Sequence, residues 1–327
     1  MTVEIIRQSQ GFSRLSKEWS SLLSRSGANH LFLSPAFQEI WWRNFGRGDL
    51  QIVTLRKDDG LLVGLAPLMH DSGILSLIGG EEIADYLDFI VDQEEEEETY
   101  RQLWRVVASL KWSTLRLLPL PPNSPTIKYF SRFAGQKGWK YKTEVRRPAF
   151  AVLLPVNFEE YLNRLTGKNR HELRRKIRRL QETGPVALYL TDSADRLAQD
   201  LKVFFRLHRE SSPDKAHFMD PKMESFFREL AHTFFNENKL SLAFLLLNNT
   251  PIAAKFSFIW EKELLLYNSG FDRNLSALSP GVVLTAYLIR DAIDKGFLKF
   301  DFMQGAERYK EDLVGQQSLT STLEIAR

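Results

Sequence analysis

Helical spacing of apolar residues marks Phe37, Ile40, Trp41 and Phe45, and after it the pattern changes. From Val53 to Gly80 short apolar runs alternate with polar turns, which predicts strand, turn, strand, turn, strand. The succession then returns. Phe32-Leu33-Ser34-Pro35 is answered by Phe218-Met219-Asp220-Pro221, each an N-cap (Ser34, Asp220) with proline at the first helical position. Each opens an aromatic-rich helix, the second through Met223, Phe226, Phe227 and Leu230. Val53 to Gly80 aligns without a gap with Ala243 to Gly270. The first turns are Lys57-Asp58-Asp59-Gly60 and Asn248-Asn249-Thr250, residues that take positive φ or bond their own backbone. In a third matched block, Thr99 to Lys111 leads into Leu115-Arg116-Leu117-Leu118, and Val282 to Lys295 into Leu298-Lys299-Phe300-Asp301-Phe302. Three blocks in one order predict an internal duplication.

Each copy reads as a strand, one or two helices, a three-stranded antiparallel meander, a helix and a further strand. That is an α+β order with a mixed, mostly antiparallel sheet flanked by helices. At 327 residues the chain exceeds the usual single-domain size, and the expected domains are 1–147 and 148–327.

Composition narrows the chemistry. Without cysteine there are no thiolate nucleophiles, disulfides or iron–sulfur ligands, and no His/Asp/Glu cluster has metal spacing, so no metal is expected. Apolar runs such as Leu242 to Leu247 fall far short of a bilayer span, and the first residues lack the pattern of a secretory signal; a cytoplasmic protein is expected. A net charge of +3 is too small to predict nucleic-acid binding by itself. Gly-x-Ser-x-Gly, His-Glu-x-x-His and Gly-x-Gly-x-x-Gly are absent.

Several stretches together resemble a known group. They are Phe32-Leu33-Ser34-Pro35, Ala84-Asp85-Tyr86-Leu87-Asp88, the basic run Arg170 to Leu180, Leu207-His208, Tyr267-Asn268-Ser269-Gly270-Phe271-Asp272, Ser279-Pro280-Gly281, and Asp301-Phe302-Met303-Gln304-Gly305-Ala306-Glu307-Arg308-Tyr309-Lys310. In element order and in these motifs the chain resembles the GNAT acetyltransferases, and within them the double-GNAT proteins related to FemAB peptidyl transferases and to CelD-type proteins of polysaccharide gene clusters. The resemblance implies two tandem GNAT-like domains. It also implies transfer of an acyl or aminoacyl group from a carrier, acetyl-CoA or another acyl-CoA, to an amine.

Such a reaction needs a grip on the carrier's phosphates, polarisation of a carbonyl and deprotonation of an amine. Ser279, Pro280 and Gly281 open the helix Val282 to Lys295, where a helix dipole and free amides suit phosphate; an ordinary proline-led helix start accounts for them equally well. The first copy has Asp92 to Glu98 at the matching place, which would repel an anion, so the carrier is expected in the second copy. Asn274 to Gly281 departs from the GNAT pyrophosphate-loop pattern. Arg174, Arg175 and Arg178 crowd one helix and could clamp phosphate or tRNA, or form a solvated face. In the fold this chain resembles, the polarising amides come from a splayed strand, here Leu264 to Gly270. Candidates for proton transfer or charge balance are His208, Asp272, Asp301, Tyr309 and Lys310, with Asp301 and Lys310 preferred on the resemblance. Asp85, Tyr86, Asp88 and Asp272 are candidates for a polar acceptor, such as an amino sugar or a cell-envelope polysaccharide precursor. Two further readings stand beside an acyl-CoA enzyme: a FemAB-like transferase fed by aminoacyl-tRNA, and a non-catalytic scaffold of polysaccharide assembly.

Overall fold

The computed structural model describes residues 1–313 and 316–327, and the chain forms two compact units, Met1–Pro148 with Ser318–Arg327, and Ala149–Gln317. In the first, β1 (Thr2–Ile6) is followed by α1 (Gln10–Ser24) and α2 (Pro35–Phe45). The meander β2 (Asp49–Arg56), β3 (Leu62–Asp71) and β4 (Ile74–Leu77) comes next. A two-residue strand, β5 (Ile90–Val91), precedes α3 (Glu96–Ser109), β6 (Thr114–Leu120), α4 (Pro125–Gln136) and β7 (Lys140–Leu153). The sheet order is β1-β2-β3-β4-β6, antiparallel until β4, which runs parallel to β6 over Ile74–Ser76 and Thr114–Arg116 only. Ser34 caps α2 as its position predicts, its hydroxyl accepting from the Phe37 N–H.

The second unit takes the end of β7 and continues with α5 (Phe158–Arg164), α6 (Gly167–Gln181), β8 (Val186–Leu190), α7 (Ala194–Ser211), α8 (Pro213–Phe218) and α9 (Pro221–Asn236). Its meander is β9 (Leu240–Leu247), β10 (Thr250–Trp260) and β11 (Glu263–Phe271). A 3₁₀ turn (Arg273–Leu278), α10 (Pro280–Asp294), β12 (Lys299–Gln304) and α11 (Arg308–Leu313) follow. The strand order β8-β9-β10-β11-β12 repeats the first unit, including one parallel pair, β11 with β12. Asn248 and Asn249 both take left-handed φ and close a tight hairpin, as their composition predicts. One face buries Phe204, Phe227, Phe256 and Tyr267 in an aromatic cluster under α7 and α9; the other packs Leu245, Leu264, Leu266, Phe300 and Phe302 against α10. Burying so many large apolar side chains, each worth about 1.5–3 kcal/mol, is what holds the sheet to its helices.

Two expectations change. Residues 148–327 were expected to form the second domain whole. Instead the last strand, β13 (Gln316–Ala326), pairs from Ser321 onward with β6, and Leu323 and Ile325 complete the first unit's core. An open β6 edge offers unpaired backbone groups, and this strand satisfies them. The gapless alignment of the copies also slips. Val53 opposes Ala66, whereas its counterpart Ala243 opposes Lys255. Ala66, not Leu65, is therefore the counterpart of Lys255, because the first hairpin's turn is longer than the two-asparagine turn.

Candidate active site of the second unit

The site begins where two parallel strands part. β11 and β12 pair only at Glu263–Lys299, Leu264–Phe300 and Leu265–Asp301. Beyond that point both strands are irregular: β11 bulges against β10 where Tyr267 is skipped, and β12 bulges against β7 between Asp301 and Met303. Met303 takes φ +62°, a conformation costly for a non-glycine residue. Residues 266–271 thus leave β12 and open a wedge, the splay expected of Leu264 to Gly270.

Asp301 does not face that wedge as a free base. It is buried, one oxygen accepting from the Met303 N–H at 2.8 Å and the other pairing with Lys299 at 3.1 Å. Burial depresses Lys299, but Asp301 and Glu263 outweigh it and hold the ammonium charged. The carboxylate therefore secures the bulge, and preferring it as a catalytic group is not supported by its surroundings.

Tyr309 and Lys310 lie together just after β12, while His208 packs with Phe204 and Phe218 under α7. Gly305, at φ +138°, turns the chain after β12; a Cβ there would meet Glu307 Oε2 at 2.1 Å and Lys310 Nζ at 2.5 Å. This lets Lys310, 4% exposed, donate to the Gln304 carbonyl at 2.6 Å and pair with Glu307 at 3.0 Å. Burial raises the Tyr309 phenol well above its ordinary range, so it stays protonated at neutral pH. Opposite stands Lys255, whose Nζ lies 5.3 Å from the centre of the Tyr309 ring. Lys215 donates to the Ser269 carbonyl, and Ser269 is the cross-strand partner of Lys255.

His208 comes close onto β11 through Gly270, since a Cβ at Gly270 would strike the α7 backbone at Leu207 and His208 within 2.5 Å. α7 rests directly on β11 there, and His208 Nε2 lies 2.8 Å from Asn268 Oδ1. The same oxygen accepts from the Ser269 N–H, so the imidazole Nε2–H is the donor. Burial, with Lys215 nearby, pushes His208 down to about 4, which leaves it neutral.

The expected phosphate grip is only partly present. α10 starts at Pro280 with no acidic residue in its first turn and no side-chain cap, and Ser279 is left-handed. The Val282 and Val283 amides return to Ser279 O, which leaves Gly281 as the open amide position; a Cβ there would meet only Phe271, at 3.7 Å. The arginines are spent elsewhere: Arg174 on Glu159 at 2.7 Å, Arg175 on Glu172 at 2.8 Å, Arg178 on Glu182 at 3.8 Å. They form a solvated face neutralised by glutamates. The crevice lined by Lys176, Val282 and Tyr309 measures about 20 Å³, room for a water and not a phosphate.

The acceptor candidates have structural partners. Asp88 is fully buried in the first unit, accepting from the Phe89 N–H at 2.8 Å and from the Thr126 hydroxyl. Burial, only partly offset by these bonds, raises its carboxyl to about 6. Tyr86 packs edge-on against His30, with ring centres 4.8 Å apart. Asp85, beside it, is half-buried in the same first-unit loop. Asp272 caps the 3₁₀ turn, accepting from the Asn274 N–H at 2.9 Å. Sequence reasoning missed Lys215, Lys255, Glu307 and Asn268. Lys255 had a signal: it is the one charge in the otherwise apolar run Pro251 to Trp260.

A second unit with a meander, a splayed parallel pair and a proline-led helix defines the GNAT-type acyltransferase fold, and residues 167–311 match the family described as acetyltransferase (GNAT) domain. The resemblance read from the motifs is thereby shown over that segment. FemX is similar over 99% of this chain and 97% of its own, at 12% identity and a TM-score of 0.68. The C-terminal domain of a putative lysylphosphatidylglycerol synthetase from Agrobacterium fabrum is similar over 97% and 92%, at 10% identity and a TM-score of 0.61. A tandem GNAT protein from the clavulanic acid biosynthesis pathway is similar over 98% of both chains, at 10% identity and a TM-score of 0.50. At these identities the likeness is one of fold. No curated protein matches the sequence.

Proposed function

We propose that the protein is an N-acyltransferase that moves an acyl group from an acyl-CoA to an amine, an amino sugar or polysaccharide precursor being the acceptor class. The splay of β11 from β12 supports this reading, because pairing between them ends at Leu265–Asp301 and residues 266–271 turn from β12 to side-chain partners, Ser269 to Asn268 and Lys215 and Phe271 to Ser211. An acyl-CoA supplies an activated acyl carbon. The protein's part is to seat it, balance charge and move protons. The Lys310 ammonium, held by Gln304 and Glu307, retains a donor for a developing oxyanion. Tyr309, kept protonated, can give its proton to a leaving thiolate. His208, neutral and fixed by Asn268, supports β11.

One observation favours aminoacyl-tRNA as the donor instead: Arg273–Leu278 folds into a 3₁₀ turn, not a glycine loop, and α10 offers a single open amide position. Thermal shift separates the donors. A true donor at 100 times its Kd stabilises by about 2.7 kcal/mol, and Ser279→Asp, which places a carboxylate at the start of α10, should weaken acyl-CoA binding about tenfold. Absence of any shift with acyl-CoAs and with aminoacyl-tRNA would end the transferase reading.

A further inference from the structure

The second unit buries more positive charge than its carboxylates balance. Lys255 stands mid-strand in β10, 1% exposed, its Nζ 5.3 Å from the centre of the Tyr309 ring; the charged groups that act on it are two other ammoniums and one carboxylate, and no hydrogen bond reaches it among the described residues. The two ammoniums are Lys215 and Lys310, and the carboxylate is Glu307. Glu307 already pairs with Lys310, and its side chain is 55% exposed. Lys215 is committed to the carbonyl and hydroxyl of Ser269, directly across the ladder from Lys255. Ser257, two residues along the same face of β10 as Lys255, is buried with its hydroxyl unpartnered among the described residues.

Buried like charges repel, and an ion without a counterion in such a place is costly. Burial and the two cations accordingly push Lys255 down to about 7. Three ammonium groups against one carboxylate leave an excess that a dianion matches better than a single carboxylate would. Ammonium groups are compact charges able to surround a tetrahedral anion from several sides. An exposed basic patch would not carry this argument, since solvent would screen it.

We propose that Lys215, Lys255 and Lys310 form a binding pocket for a phosphate group of the protein's ligand. The pocket stands independently of the acyl-transfer reading, though it lies beside the same wedge. The phosphate could belong to the donor, as in coenzyme A, or to an acceptor carrying a nucleoside diphosphate. Binding in either case draws a proton onto Lys255.

Calorimetry near pH 7 with sulfate, a tetrahedral dianion that does not itself titrate there, in buffers of differing ionisation enthalpy, tests this on the full chain. Saturable binding with proton uptake is expected, weakened tenfold or more in Lys255→Met and in Lys310→Met and unchanged in Arg174→Ala. Lys255→Met removes a buried charge and should fold. Wild-type affinity in both methionine variants, or binding without proton uptake, overturns the proposal, as does no binding at all. Titrations with coenzyme A and with uridine diphosphate then assign the source by which of them loses affinity in Lys255→Met; both unchanged also overturns it. Loss of acyl transfer with sulfate binding intact would strike the enzyme reading alone.

Discussion

The two units repeat one plan and spend it differently. Both fold a meander into a sheet, both run one parallel pair for three residues, and both send a helix across it. In the first unit Glu96, Glu97 and Glu98 fill the first turn of that helix, and the β3 position matching Lys255 is Ala66, fully buried among apolar neighbours. In the second, the helix start carries no acid, and the matching strand buries Lys255. The first unit keeps a cavity of about 540 Å³ beside its parted strands, lined by Met69, Ser76, Leu77, Arg116 and Leu118, with no lysine in it. The second has kept a charged wedge that an apolar sheet would not retain for stability alone. A shared fold thus says little about which copy works; the residues placed at the parting strands decide it.

The contrast can be broken most forcefully by moving the lysine. Ala66→Lys places an ammonium in the first unit's core without the second unit's partners, and should cost on the order of 3 kcal/mol or more in urea unfolding. Trp260 is the second unit's only tryptophan and the other six lie in the first, so tryptophan fluorescence should report the loss. A mild effect would mean the two strand environments are alike after all.

The two units should also respond oppositely to pH. Asp88, raised by burial from 3.8 to about 6, holds its proton more tightly when folded. Its contribution is present below the unfolded pKa and disappears as pH rises through about 6, a change of about 3 kcal/mol. Asp88→Asn should flatten that slope in the first unit. Lys255 is lowered by burial from 10.5 to about 7, so the folded second unit prefers it neutral. Stability is gained as pH rises from about 7 towards 10.5 and lost on acidification through 7. Lys255→Met should abolish this dependence and stabilise the unit by about 1–4 kcal/mol at neutral pH, as chemical unfolding would read. A pH-independent second unit would remove the case for a frustrated lysine. Smallest of all, Arg174→Ala with Arg178→Ala should leave the melting temperature and sulfate affinity where they were, because exposed ion pairs contribute little.

Much of this was legible in the chain. Periodicity and turn residues predicted both meanders, Ser34 and Asp220 announced their helices, and the proline-led start at Pro280 was visible as such. His208, Tyr309 and Lys310 came from motifs; the structure sets Tyr309 and Lys310 side by side after β12 and His208 against Asn268 of β11. Other readings failed for a common reason. Asp301 and Asp88 looked like functional carboxylates, yet each satisfies a local backbone N–H and a neighbouring side chain. The α6 arginines looked like a clamp until Glu159, Glu172 and Glu182 proved to be their partners.

What the sequence settled by itself was local: where strands and helices begin, that the plan occurs twice, and that acid guards one helix start and not the other. These follow from propensity, capping and period, which act over a few residues. Tertiary structure alone decided that β13 completes the first unit, that one longer turn shifts the register to set Lys255 against Ala66, and that lysines 40 to 95 positions apart in the chain share one wedge. Register, burial and charge balance depend on groups far apart in sequence, and a cation's cost is fixed only when its neighbours arrive.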